Sequence, residues 1–299
     1  METLKEIVLE NIKATNEEFK RLFHGRGRVY KGYENIVLDS INNVILVALY
    51  KSIEYEINLQ EFLKETILHT KHTTIVFQYR FEKNAPFKTI LGEIPEKFHA
   101  LENGIKFLLN TKNQNFGYFA DMKNGRAYIK EIANDKNVLN LFSYTCGFSL
   151  VASKAGATMV TNVDMNKGVL SIGRQNHHFN NLSTNNINFM PYNILKSFSR
   201  IKKHAPYDII IIDPPSFQKG SFVATNDYIK IIKKLDLLST KGTIVLACLN
   251  APELDSSFLI NLFKEHASSF NYSRHLKNHS DFPSFDQEKA LKNLIFIKM

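Results

Sequence analysis

Several apolar runs in this chain stop at residues able to do chemistry. The run Tyr207-Asp208-Ile209-Ile210-Ile211-Ile212 ends in Asp213-Pro214-Pro215-Ser216-Phe217. Two prolines fix φ and supply no N–H, so this loop is rigid and offers carbonyl acceptors. Such acceptors can hold an exocyclic amino group, and Phe217 offers a face on which a flat ring can stack. A plain proline turn would not need a carboxylate at the strand's mouth. Thr161-Asn162-Val163 ends in Asp164, a carboxylate placed to accept from both hydroxyls of a ribose. Phe142-Ser143-Tyr144-Thr145-Cys146-Gly147-Phe148 puts one glycine between strand and helix, where backbone amides can approach a ligand. It is not the G-x-G-x-x-G fingerprint, which argues against a dinucleotide-dependent dehydrogenase. Pro191-Tyr192-Asn193 adds a polar side chain that could meet an adenine edge.

These positions have meaning only if the runs before them are parallel strands. From residue 137 onward, short apolar runs alternate with helical periodicity: 138–142 then 148–154, 159–163 then 167–179, 187–190 then 195–202, 207–212 then 228–238, and 243–248 then 256–267. Near-continuous apolar runs mark strands buried on both faces. Their alternation with helices predicts a doubly wound α/β sheet, whose ligands sit beyond the carboxyl ends of the strands. Two further strand-like stretches, around Tyr272 and at 293–297, close the chain. Upstream, Leu4, Ile7, Val8, Ile12, Phe19 and Leu22 fall at helical spacings, which predicts one or two amphipathic helices. Strand-like runs follow at 35–39, 44–50 and 73–80. This predicts a small α+β domain over 1–103. Residues 104–132 are expected to form a lead-in hairpin, turning at Lys123-Asn124-Gly125, that opens a second domain over 104–299.

Composition excludes several classes. The 299 residues are 44% hydrophobic and 22% charged, which is ordinary for a folded protein. Cys146 and Cys248 are too few for a disulfide framework or a four-thiolate zinc site. No run approaches the ~18 apolar residues of a membrane span. The acidic start Met1-Glu2-Thr3-Leu4-Lys5-Glu6 lacks the apolar core of a signal peptide, so a cytoplasmic location is expected. The net charge of +9 is uneven, +2 over residues 1–133 and +7 over 134–299. Such an excess serves a polyanion partner, or equally a solvated lysine-rich surface.

Asn140-Leu141-Phe142-Ser143-Tyr144-Thr145-Cys146-Gly147-Phe148-Ser149, together with Val163-Asp164 and Asp213-Pro214-Pro215-Ser216-Phe217, resembles class I S-adenosylmethionine-dependent methyltransferases. More narrowly, the set is similar to the family of bacterial large-subunit ribosomal RNA methyltransferases that modify cytosine C5 or a guanine ring nitrogen. The stretch 113–126 resembles that family's lead-in hairpin. Asp281-Phe282-Pro283 with Ala290-Leu291-Lys292 resembles its last one. The likeness covers about residues 103–299. It implies a seven-stranded Rossmann-like sheet with an antiparallel last strand, S-adenosyl-L-methionine as methyl donor, and RNA as partner. Phe142, Ser143, Tyr144, Thr145 and Gly147 would then wrap the methionine part of the cofactor. Asp164 would hold the ribose, Met165 would pack on adenine and Asn193 would meet the adenine amino group. Asp213 and Pro214, with Pro215 and Phe217, would line the methyl-transfer point, and Asp121 and Arg126 would complete the pocket. Two departures matter: Cys146 stands where the family usually has glycine, and Asn193 where an acid is common.

The methyl acceptor stays open. Cytosine C5 methylation needs a thiolate, and Cys248 lies near the place where relatives carry one. Aligned from Gly242, however, that place falls on Leu249, and a one-residue slip in a strand reverses the face. Cys248 is therefore either the nucleophile or a small buried hydrophobe. His69/His72 and His177/His178 lack companion ligands for a metal, so surface roles are expected and no metal site. Arg21, His24, Arg26 and Arg28 among glycines would either track phosphates or form a solvated loop. A noncatalytic RNA-binding module, or a methyltransferase acting on protein or a small molecule, remains the alternative function.

Overall fold

The structure, a computed structural model, describes residues 1–215 and 222–299, and the backbone alone of Phe217 and Gln218. The chain divides into two compact units, Met1–Ala120 with His279–Phe285, and Asp121–Asn278 with Asp286–Met299.

In the first unit, α1 (Glu2–Lys13) buries Leu4, Val8 and Ile12, one helical stripe. The helical spacing does not continue to Phe23. Residues 20–24 form β1 (Lys20–His24), antiparallel to β2 (Ile36–Ile41). β2 and β3 (Val44–Leu49) are buried at every position, which explains their unbroken Val/Ile/Leu character. β3 and β4 (Thr74–Tyr79) run parallel. Parallel neighbours need a crossover, and α2 (Glu56–Ile67), not anticipated from the sequence, supplies it. β5 (Phe87–Leu91) completes the order β1-β2-β3-β4-β5. The small α+β architecture is as expected, but its edge is not. β6 (His99–Glu102) and β7 (Ile105–Leu108) pair antiparallel across Asn103 and Gly104, both at positive φ. The expected boundary at 103/104 thus falls inside a hairpin turn, and paired strands cannot be divided between units.

The second unit begins with another correction. Lys123-Asn124-Gly125 is not a hairpin turn but the first turn of α3 (Lys123–Ile132). Burial of Arg126 and Ile129 on one face outweighs the local turn preference of Asn-Gly. Then follow β8 (Asn137–Leu141), α4 (Gly147–Lys154), β9 (Met159–Val163), α5 (Lys167–Phe179), β10 (Ile187–Met190) and α6 (Phe198–Ile201). Next come β11 (Tyr207–Ile212), a two-residue pair β12 (Phe217–Gln218) and β13 (Phe222–Val223), α7 (Ala224–Ile232), β14 (Ser239–Leu249), α8 (Ser256–His266), β15 (Phe270–Leu276) and β16 (Lys292–Lys298). The helix read over 195–202 is broken into α6 and flanking 3-10 turns.

The seven-stranded sheet has the order β10-β9-β8-β11-β14-β16-β15. β8 to β11, β14 and the β9/β10 side are parallel, whereas β16 is antiparallel to both neighbours. This is the Rossmann-like sheet with an antiparallel last strand that the sequence implied. Strand order reverses at β8/β11, where a ligand crevice is expected. Asp281-Phe282-Pro283 does not join the last antiparallel pair. Lys20 pairs with Asp281 at 3.0 Å, and the Arg21 guanidinium lies over the Phe282 ring, within the first unit.

Candidate cofactor and methyl-transfer site

The site is built on the carboxyl ends of β8, β9, β10 and β11. The loop after β8 is strained. Phe142, Tyr144 and Cys146 have φ of 57°, 48° and 65°, a left-handed conformation that costs an L-residue about 1–2 kcal/mol. Cys146 therefore holds the glycine-like conformation despite its side chain. Tertiary contacts over-determine the loop, as such strain requires. Ser143 N–H donates to Val163 O at 3.2 Å, and Asn176 Nδ2 of α5 donates to Thr145 O at 3.1 Å. Cys146 fills the space opposite Gly173 of α5.

Asp164 ties this loop to the end of β9. Its Oδ2 accepts from Tyr144 N–H at 3.0 Å and its Oδ1 from Asn166 N–H at 2.9 Å. Each carboxylate oxygen keeps a lone pair for a ligand hydroxyl. Burial raises the Asp164 pKa, and the two amide hydrogen bonds draw it partly back. Asn166 in turn caps α5, its Oδ1 accepting from Gly168 and Val169 N–H.

Phe142, Asp164, Met165 and Asn193 share one cleft of about 270 Å³, open mouth included, with Tyr192, Ile194 and Leu195. Four predicted cofactor residues are thus brought together. Tyr192, whose ring carries the Arg200 guanidinium at 4.4 Å, was passed over, although its place beside Asn193 after an apolar run could have signalled it. Ser143, Tyr144, Thr145 and Gly147 form the loop that leads into α4.

Asp213 follows β11 and is influenced by Asp121 and Arg126, so these three predicted residues also share one environment. Burial first, then the Asp121 carboxylate, push the Asp213 pKa up to about 7, against the opposing pull of Arg126. Arg126 is itself buried on α3. Pro214 is buried and Pro215 exposed. The side chain of Phe217 lies outside the described residues. Cys248 is buried on β14, in register with Asn293 of β16. Burial, then Asp213 and Asp121, raise its thiol pKa well above the ordinary value. Leu249 lies in the opposite-face core with Val245 and Ala247.

The histidine pairs are not uniformly on the surface. His177 is buried, Nε2 at 3.1 Å from Ser149 Oγ and Nδ1 at 2.8 Å from Gly173 O. His72 is buried beside Ser40 and Thr70. Among the described residues no group of three or more His, Cys, Asp or Glu could hold a metal ion. No helix of the described residues is long and apolar enough to cross a membrane.

S-adenosylmethionine fits the residues present. Asn193 Oδ1 is buried at the cleft with no hydrogen-bond partner, an acceptor suited to the adenine amino group. Asp164 would take the ribose, Phe142 and Met165 the faces of the adenosine, and the loop 142–147 the methionine part.

Comparison with known proteins agrees with this geometry. The S-adenosylmethionine-dependent methyltransferase family model matches residues 20–297. Ribosomal RNA large subunit methyltransferase I of Aeromonas salmonicida is 37% identical over 134 residues, 44% of this chain and 34% of that protein. Ribosomal RNA large subunit methyltransferase K/L of Psychrobacter cryohalolentis is 39% identical over 159 residues, 50% of this chain and 20% of that protein. The matches thus span about a third or less of these curated relatives. A solved SAM-dependent methyltransferase from Streptococcus mutans superimposes with a TM-score of 0.85 at 25% identity, covering 99% of this chain and 81% of that one. A structure of the methyltransferase SMU.776 complexed with SAH gives the same score and identity. The chain belongs to the S-adenosylmethionine-dependent methyltransferase family.

Proposed function

We propose that this protein transfers a methyl group from S-adenosylmethionine to a base in RNA, ribosomal RNA foremost, in the cytoplasm. The observation that carries the chemistry is Asp213, a carboxylate at the mouth of β11 whose pKa is pushed up to about 7. The RNA assignment draws support from the names of the curated relatives and from the basic composition.

The sulfonium of the bound donor supplies an already activated methyl group. What the protein adds is alignment and a dry surface. The loop 142–147, held by Asp164 and Asn176, orients the donor. The carbonyls of Asp213-Pro214-Pro215 hold the exocyclic amino group of the acceptor base, and Phe217 is assigned its stacking face from the sequence alone. A carboxylate titrating near neutrality suits removal of a ring-nitrogen proton. Asp213 takes that proton as the nitrogen–methyl bond forms and the sulfur–methyl bond breaks. Cys248 does not serve as nucleophile in this reading, because burial beside two carboxylates disfavours the thiolate that addition needs.

Incubation of the purified protein with methyl-labelled donor and total RNA, a protein extract or a metabolite pool tests the proposal. Label in RNA is expected. Label only in protein or small molecules would reassign the acceptor. Binding of S-adenosylhomocysteine without transfer to any pool would favour the noncatalytic module. A folded protein that binds neither donor nor S-adenosylhomocysteine would remove the reading.

A further inference from the structure

The arginine and histidine cluster of the first unit separates into two pairs. Arg21 turns inward, ion-paired with Asp39 and stacked over Phe282. His24 lies against Phe282 and is kept neutral by burial and by Arg21 and Arg26. Arg26 and Arg28 are exposed. The alternation Gly25-Arg26-Gly27-Arg28 explains the division. A Cβ on Gly25 would stand 1.8 Å from Tyr33 O, and one on Gly27 1.7 Å from Pro283 O. Both glycines are pressed against backbone, and the arginines between them remain at the surface. Arg28 takes the left-handed conformation that closes the 3-10 turn.

Two strand ends complete the surface. Tyr50 follows β3 and Arg80 follows β4, and because these strands are parallel and in register both residues emerge at the same edge. The Arg26 guanidinium lies 4.1 Å from the Tyr50 ring centroid and that of Arg80 5.3 Å from it. Arg80 is held by neutral acceptors only, Gln78 Oε1, Gln114 O and Asn115 Oδ1. Among the described residues no ion pair involves Arg26, Arg28 or Arg80. Three cations around an aromatic ring, without carboxylate partners, form a surface that is complementary to phosphate and able to stack on a flat ring.

We propose that Arg26, Arg28, Tyr50 and Arg80 form a docking surface for single-stranded RNA. A base stacks on the Arg26 guanidinium, extending the layer begun by Tyr50, while Arg28 and Arg80 contact flanking phosphates. A duplex conceals its base faces, so single strands are preferred. The inference rests on the RNA reading above, and it assigns the anchoring of the strand to residues outside the methyl-transfer site.

Fluorescence anisotropy with a labelled single-stranded RNA, at several salt concentrations, tests it. R26A/R28A is expected to weaken binding about tenfold and to lower the log–log salt slope by about 1.4, ~0.7 for each lost phosphate contact on a single strand. K202A/K203A, which removes the same charge from exposed positions of the second unit, should leave both unchanged. Arg26→Lys should keep the salt slope yet lose the preference over duplex. Unchanged RNA affinity in R26A/R28A, or an equal loss in K202A/K203A, would overturn the proposal. S-adenosylhomocysteine binding, measured by calorimetry, should be unaffected in every variant. Its failure in the wild type would instead count against the methyltransferase reading.

Discussion

Cys146 occupies the space that a side chain at residue 173 would need. A Cβ built on Gly173 lies 2.4 Å from Cys146 Sγ and 3.0 Å from its Cβ. A helix-interior glycine and a left-handed cysteine, 27 positions apart, are therefore one packing unit beneath the cofactor loop. Gly173→Ala, ordinarily favourable in a helix, should here destabilise by about 1–3 kcal/mol through overpacking. Cys146→Gly relieves the left-handed strain and opens the space, so in that background Gly173→Ala should cost nearly nothing. Urea unfolding of both single variants and the double variant measures the coupling. Additive effects would show that the two residues do not act together.

Asp164 joins the loop after β8 to the end of β9, so its loss should affect the ligand and the loop together. Asp164→Ala removes the acceptor for Tyr144 and Asn166 N–H as well as the ribose contact. Hydrogen bonds to charged groups are worth about 1.5–3 kcal/mol, so S-adenosylhomocysteine affinity should fall at least about tenfold. Asn193→Leu should weaken the same ligand without disturbing the loop. Calorimetry of the two variants separates these contributions, and wild-type affinity in either would contradict the site.

Asp213 sets a pH dependence whose sign follows from its raised pKa. With the folded-state value near 7 and a model value of 3.8, the folded state holds a proton that the unfolded state has released. The stability this group contributes is full below pH 4 and is lost as the pH climbs through 7. Asp213→Asn keeps the shape but cannot ionise. Its melting temperature should gain on the wild type between pH 5 and pH 8, while its turnover falls sharply. Wild-type turnover should rise across the same interval with a midpoint near 7, and Asp213→Asn should abolish that midpoint. A pH-independent difference in melting temperature would remove the buried carboxylate from the account.

Cys248 should be dispensable for transfer. Its thiol is buried, and Asp213 and Asp121 add to the cost of ionising it. Cys248→Ala should keep turnover within about threefold of wild type, less than 1 kcal/mol in the barrier. RNA containing 5-fluorocytosine should form no covalent adduct with the protein. An adduct that disappears in Cys248→Ala would make this cysteine the nucleophile and the acceptor a cytosine carbon.

How much of this was legible in the residue order depends on the range of the interaction concerned. Residues 159–163, 167–179, 187–190 and 207–212 fold as their apolar spacing predicts, because burial on two faces or on one stripe is written in the local pattern. The direction of those strands then places Asp164 and Asp213 at their carboxyl ends without any knowledge of their neighbours. Other features are decided by partners far away in the chain. Nothing near Gly125 announces that Arg126 and Ile129 will be buried, so a local turn signal gave way to α3. Arg21 and Arg26 look alike in sequence. One is drawn inward by Asp39 and Phe282, and the other is left outside by two glycines pressed against the backbone of Tyr33 and Pro283. The left-handed loop at 142, 144 and 146, the empty acceptor of Asn193 and the raised pKa of Asp213 belong to the same class. Periodicity and chain direction determine which residues reach the strand ends. Strain, solvation and proton affinity depend on what surrounds those residues, and only tertiary packing supplies that.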